Sequence, residues 1–186
     1  GTTAYKVVHH KMGLDGTFLN NDVVVEEKTG TTGAKTVAEV KGFPGFTCTG
    51  TAQSGSRPVF EESTIAGDGT TVVNLYYTRN KFHLTLAADD NSTIAGSPMN
   101  TGDFLFGQKV TIKGGAKTGC KWVGWTSSDA ALVANKSEAQ FTFEMPAGDV
   151  TLTATSLSTE QGEAAYVVEH YWQNVKDDKF TLHETE

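Results

Sequence analysis

The stretch Ala4-Tyr5-Lys6-Val7-Val8-His9-His10 near the start of the chain returns near its end as Ala165-Tyr166-Val167-Val168-Glu169-His170-Tyr171. Tyr5 and Tyr166 stand 161 positions apart, and so do His9 and His170. Polar residues follow in both places, then Phe18-Leu19 in the first and Phe180-Thr181-Leu182 in the second. Self-similarity at a fixed period is the mark of a repeat architecture, so the repeating unit here is long. The chain holds one full unit and the start of a second, which stops at Glu186 before a module could complete. With no recognisable signal peptide or anchoring tail, the expectation is an excerpt from a longer chain.

The texture changes inside the full unit. Thr71-Val72-Val73-Asn74-Leu75-Tyr76-Tyr77-Thr78 has high β propensity and is closed by Arg79-Asn80. Lys81-Phe82-His83-Leu84-Thr85-Leu86 then opens a new alternating strand, with Phe82, Leu84 and Leu86 on one face. The pattern divides the chain into a module over residues 1–80 and a second over 81–157. Residues 158–186 then form a short polar linker, Ser158-Thr159-Glu160-Gln161-Gly162, and the truncated start of another first-type module. Two modules of this size are small but viable domains.

In the first module strands are expected near residues 4–11, 18–28, 45–51, 57–61 and 72–79. Leu14-Asp15-Gly16-Thr17 is a hairpin signal, because Asp-Gly supplies the positive φ angles of a tight turn. The one helical candidate is Ala34–Val40, between Thr31-Thr32-Gly33 and Gly42, with room for about two turns. In the second module strands are expected near 82–88, 108–114, 119–126, 138–145 and 149–156. Phe141, Phe143 and Met145 share one face; Val150, Leu152 and Ala154 alternate after the turn Met145-Pro146-Ala147-Gly148-Asp149, which reads as an antiparallel hairpin. The fold class expected is mainly β (α+β): tandem small β-grasp-like modules, each a mixed or antiparallel sheet with at most one short helix.

Charge and cysteine usage remove several classes of function. The formal net charge is −7 and the lysines are scattered singly among acids, which argues against nucleic acid or an anionic membrane as partner. No apolar run approaches the roughly 20 residues that span a bilayer, so no membrane insertion is expected within this segment. Cys48 and Cys120 form no CxxC pair and have no histidine at zinc-ligand spacing, so no metal site is expected. They are either two semi-buried apolar positions or a disulfide joining two modules.

Several of these stretches resemble known families. Tyr5-Lys6-Val7-Val8-His9-His10, Leu14-Asp15-Gly16-Thr17-Phe18, Gly30-Thr31-Thr32-Gly33, Gly45-Phe46-Thr47 and Thr71 through Asn80 are similar to the MucBP-like repeats of Gram-positive surface proteins, as is Tyr166 to Glu186. Gly107-Gln108-Lys109-Val110-Thr111-Ile112, Gly124-Trp125-Thr126 and Phe143 through Ala154 resemble a divergent internalin B-type (Listeria-Bacteroides) repeat. Both resemblances imply β-grasp-like modules, a secreted or cell wall-associated setting at the bacterial surface, and adhesive or spacer roles. Neither implies catalysis or a cofactor.

The search for chemistry agrees with that expectation. His9 and His10 are neighbours in a strand and point to opposite faces, so they cannot share one metal; the recurrence of His9 as His170 suggests packing or hydrogen bonding. Asp89-Asp90-Asn91 lacks the alternate spacing and the later bidentate acid of a calcium loop, and reads as a solvated turn, as does Ala66-Gly67-Asp68-Gly69. There is no Gly-x-Ser-x-Gly elbow, and the acid pairs Glu26-Glu27 and Glu61-Glu62 face opposite ways on their strands, so no enzyme is expected. Aromatics are the remaining ligand-binding candidates: Trp122 and Trp125, three apart and expected on opposite faces of a strand, and Tyr77 beside Tyr76. One member of each pair is expected in the core. The other would be a platform for a host glycan, such as a mucin-type sugar, or for a surface protein. The third segment supplies a hairpin whose edge could pair with neighbouring copies of the same chain. The function expected is a non-enzymatic repeat segment of a secreted bacterial cell-surface protein, adhesive or stalk-like, with a filament or layer subunit and a glycan-binding module as alternatives.

Overall fold

The computed structural model describes residues 1–19, 22–53, 58–94, 101–159 and 167–185. Tyr166, residues 160–162 of the expected linker, residues 20–21 of the expected strand 18–28 and Arg57 of the strand 57–61 lie outside these. The chain is mainly β.

The first sheet contains β1 (Thr2–Lys11), β2 (Val23–Thr31), β3 (Phe46–Gly50) and β4 (Val72–Arg79), in the order β2-β1-β4-β3. Its central pair, β1 and β4, runs parallel, from Lys6 opposite Val72 to Lys11 opposite Tyr77. The outer strands are antiparallel to their neighbours. Alternation decides what each strand buries: Tyr5, Val7 and His9 of β1 and Val73, Leu75 and Tyr77 of β4 face inward, joined by Ile65. Among the described residues of the strand expected at 57–61, only Val59 makes a bridge, to Gly50. The Asp15-Gly16 turn forms, with Gly16 at φ +78°, but inside a longer connection between β1 and β2 rather than as a two-residue hairpin loop.

The expected helix over Ala34–Val40 is absent; the segment crosses the sheet as an extended strap. Its backbone groups are taken by partners outside it. The Thr36 amide donates to the Ser63 carbonyl at 2.8 Å, the Ile65 amide to the Ala34 carbonyl at 2.9 Å, and the Tyr5 hydroxyl to the Val37 carbonyl at 3.1 Å. Seven residues with three β-branched side chains are too short to nucleate a helix against such competition. The helix that a β-grasp sheet would carry is therefore missing from the described residues.

The second half contains two sheets. One holds β7 (Gly102–Leu105), β5 (Lys81–Ala88), β11 (Val150–Ser158) and β9 (Cys120–Ser127) in that order, with β5 and β11 parallel. The other is β10 (Gln140–Glu144), β8 (Lys109–Ala116) and β6 (Ser92–Ile94). They enclose one core of Leu84, Ile112, Phe141, Met145, Leu152 and their neighbours. The expected hairpin between 138–145 and 149–156 does not exist: β10 pairs with β8, whereas β11 pairs with β5 and β9. Two strands that reach one core from opposite sheets alternate just as the arms of a hairpin do, so periodicity alone cannot separate the two cases.

A final hairpin pairs β12 (Glu169–Gln173) with β13 (Phe180–Thr185). Among the described residues no helix is long and apolar enough to cross a membrane.

Candidate functional site

The most heavily built polar feature lies where β4 passes into β5 through Asn80. Arg79, the last residue of β4, donates from Nε to the Met12 carbonyl at 3.0 Å and from Nη1 to the Phe106 carbonyl at 2.6 Å. Its guanidinium lies 4.8 Å from the centre of the Phe46 ring and 5.8 Å from that of Phe106. The two rings meet edge to face at 5.7 Å. Phe46 belongs to the first sheet and Phe106 to the turn between β7 and β8, so the cation is clamped between the two halves.

Backbone bonds reinforce the clamp. The Asn80 amide donates to the Gly45 carbonyl at 2.9 Å, and the Asn80 carbonyl accepts from the Phe106 amide at 2.9 Å. Thr47 Oγ1 donates to Asn80 Oδ1 at 2.9 Å. Gly45 has φ +78°, and a Cβ there would strike the Phe106 ring. Gly107, at φ +76°, closes the turn that presents Phe106, and its amide donates to the Met145 carbonyl at 2.7 Å. A hydrogen bond to a charged group contributes about 1.5–3 kcal/mol and a cation–π contact about 0.5–2 kcal/mol, so the clamp holds its two faces by several such terms.

A second cluster sits under the strap. His9 is wholly buried, with Nδ1 2.8 Å from the Tyr77 hydroxyl, which also accepts from the Lys41 amide at 3.0 Å. Nε2 faces Glu26 Oε2 at 3.7 Å, and Lys41 Nζ pairs with the other Glu26 oxygen. Burial is the main cause that lowers the His9 pKa, opposed by the Glu26 charge and assisted by that of Lys41. The hydrogen bond from Lys41 holds the Glu26 carboxyl below its usual range, and burial pushes the Tyr77 hydroxyl up. The cluster fastens the strap to the sheet, and burial favours the neutral form of the histidine at its centre.

The tryptophans depart from expectation. Trp122 and Trp125 lie on one face and meet edge to face at 5.8 Å. A β-bulge in β9 explains it: Thr155 pairs with Gly124 and Ser156 with Trp122, so Val123 is the unpaired extra residue and the alternation resets. Both indole N–H groups are used, Trp122 donating to the Ser137 carbonyl and Trp125 to the Ala139 carbonyl, each at 3.0 Å. Trp125 is 5% exposed and Trp122 half-buried against the same core. Tyr77 is 1% exposed and belongs to the other core cluster, so it offers no platform. Its neighbour Tyr76 is the outward one, stacked on His10 at 4.9 Å and edge to Phe18 at 5.1 Å.

Cys48 and Cys120 are both free and half-buried. Asp89 is a structural tie rather than a solvated acid: its carboxylate accepts from the Ser156 amide at 3.0 Å and the Asn91 amide at 3.1 Å, bonds that lower its pKa. Among the described residues no group of three His, Cys, Asp or Glu side chains could hold a metal ion. The Arg79 clamp was not foreseen, because half of its partners are backbone carbonyls; the pairing of Gly45-Phe46 with a positive-φ glycine before an aromatic is its one local signal.

Residues 82–156 match the Divergent InlB B-repeat domain. The matched stretch is less than half of the chain and covers β5 through most of β11. No curated protein and no solved structure matches the chain. The InlB-type match points to a repeat of bacterial surface proteins and to an extracellular setting.

Proposed function

We propose that the chain is a non-enzymatic segment of a secreted bacterial cell-surface protein in which residues 1–80 and 81–157 act as two modules of a stiff stalk. The clamp of Arg79 between Phe46 and Phe106 carries this reading. A flexible tether needs only a few solvated residues between domains. Here a single residue, Asn80, separates β4 from β5, and both its backbone groups are hydrogen-bonded. Each module has its own core cluster, and the MucBP-like motifs of residues 1–80 with the InlB-type match of 82–156 favour tandem surface modules.

Nuclear spin relaxation of the full chain tests the proposal. Amides of residues 1–80 and 81–157 should report one common tumbling time; two shorter, separate times would reject a stiff junction. Saturable binding of mucin-type glycans that is lost on Trp122→Ala would favour an adhesin instead. Against that outcome stand the burial of Tyr77 and Trp125 and the engagement of both indole N–H groups.

A further inference from the structure

The strap and the segment that follows Val59 are stitched together at one end and part at the other. The Thr36 amide donates to the Ser63 carbonyl at 2.8 Å, and the Ser63 amide donates to Thr36 Oγ1 at 3.1 Å. One residue further along the strap, both backbone groups of Val37 turn to the Tyr5 hydroxyl, at 3.1 and 3.3 Å. The other segment turns instead to Thr51, whose Oγ1 accepts from the Glu61 amide at 3.1 Å. A cavity of about 190 Å³ opens between the two. Wholly buried Leu75 lies at its bottom, Val37 and Ala38 of the strap and Phe60 form its walls, and Glu61 and Glu62 line it beside them.

The walls of this cavity are apolar and open, with Val37 59% and Phe60 53% exposed. Its acids are without a counter-charge. Elsewhere in the first module Glu26 pairs with Lys41, Glu27 with Lys6 and Asp22 with Lys11. The carboxylates of Glu61 and Glu62 make neither an ion pair nor a hydrogen bond among the described residues. Thr36, 5% exposed, also lines the cavity, and its Oγ1 keeps a second lone pair after accepting from Ser63. Pockets for whole small molecules occupy about 300–1,000 Å³, so the space here suits one long side chain. An aliphatic chain would satisfy the walls alone; lysine and arginine add a positive head to the same kind of stem.

We propose that this cavity is a docking pocket for a lysine or arginine side chain of a partner polypeptide. The stem lies along Val37 and Phe60, and the head meets the carboxylates of Glu61 and Glu62. Charge complementarity selects the basic residue, and the apolar walls select a long one. A free amine would leave the outer faces of Val37, Phe60 and the neighbouring exposed Val59 in water. The residues on either side of a basic residue in a polypeptide cover them, so the partner is a chain rather than a small cation. The pocket shares no residue with the Arg79 clamp and stands whether or not the junction is stiff.

The test uses the full chain, labelled with 15N, and an acetylated and amidated pentapeptide with a central lysine between valines. Saturable amide shifts at Val37, Ala38, Phe60, Glu61, Glu62 and Leu75 are expected, with an affinity in the millimolar range that weakens as salt is added. The same peptide with norleucine in place of lysine should bind roughly tenfold more weakly, as expected for the loss of two solvent-exposed ion pairs. The double variant Glu61→Gln with Glu62→Gln should weaken the lysine peptide by a similar factor. Both residues are exposed, so its spectrum should otherwise match that of the native chain. The proposal is overturned by an absence of shifts at tens of millimolar peptide, by equal binding of the norleucine peptide, by unchanged binding to the double variant, or by shifts that map away from the cavity.

Discussion

Arg79 Nη1 donates to the carbonyl of Phe106 at 2.6 Å, and the guanidinium that makes this bond also covers the ring of Phe46 on the opposite side of the junction. One side chain thus ties the end of β4, the start of β3 and the turn after β7. Lysine could keep the charge but not the fork that reaches the Met12 and Phe106 carbonyls together. We expect Arg79→Lys to lose about 1–2 kcal/mol of stability and Arg79→Ala about 2–4 kcal/mol. Urea unfolding followed at the tryptophans of the second half and at the tyrosines of the first would check this. Loss of coincidence between the two probes in Arg79→Ala, with coincidence in the native chain, is the accompanying result.

Gly45 and Gly16 have the same φ of +78°, yet differ in what surrounds them. A Cβ at Gly16 meets nothing within 4 Å, whereas one at Gly45 runs into the Phe106 ring. Gly16→Ala should therefore cost about 1 kcal/mol, the backbone term alone. Gly45→Ala should cost about 2–4 kcal/mol because the ring must also move. Equal costs from chemical denaturation would show that Phe106 does not seat on Gly45.

The pH dependence follows from His9. Its folded pKa lies below the ordinary histidine value of about 6.5, so between the two values the unfolded chain binds the proton and the native chain does not. Stability is then full above about pH 6.5 and falls as the pH drops from there toward the folded value. Burial sets the sign: Glu26, the strongest charged neighbour, favours imidazolium but is outweighed by it, and Lys41 and Lys28 act with burial. The carboxylates of Asp15, Glu26, Asp68 and Asp89 are all lowered, and their contributions are lost at more acid pH. Unfolding midpoints should fall as the pH drops from about 6.5 to 5 in the native chain, and the fall should flatten in His9→Gln.

The two tryptophans should separate in a stability measurement. Trp125 lies in the core beside Phe141, and Trp125→Ala is expected to cost about 3–5 kcal/mol. Trp122 is half-buried, and Trp122→Ala should cost about half as much. Gly114→Ala tests the packing from beneath, since its Cβ would lie 2.8 Å from both indoles. Thermal unfolding of the three variants gives the order directly.

Most strand positions and the core face of the second half were legible because alternation in Gln140-Phe141-Thr142-Phe143 fixes which side faces in. The short strands β6 and β7 were not expected, and the strand expected at 57–61 reduces, among the described residues, to the Val59 bridge. Pairing was less legible. Phe141 and Leu152 alternate as if across a hairpin, yet belong to different sheets around one core. The Trp122–Trp125 contact depends on a single skipped residue, Val123, and a period-2 reading has no signal for a bulge. The strap over Val37 failed as a helix because its hydrogen-bond partners, Tyr5 and Ser63, are distant in sequence. The clamp at Arg79 was hidden for the same reason: carbonyls carry no residue identity.

The stiffness of the junction can be measured most directly by a spin-label distance between the two halves. Labels on cysteines introduced at the exposed positions Glu27 and Glu144, with Cys48 and Cys120 replaced by serine, report across the clamp. A single narrow distance distribution that broadens in Arg79→Ala and in Phe106→Ala is the predicted result. A broad distribution in the otherwise native chain, unchanged by either substitution, would contradict the account.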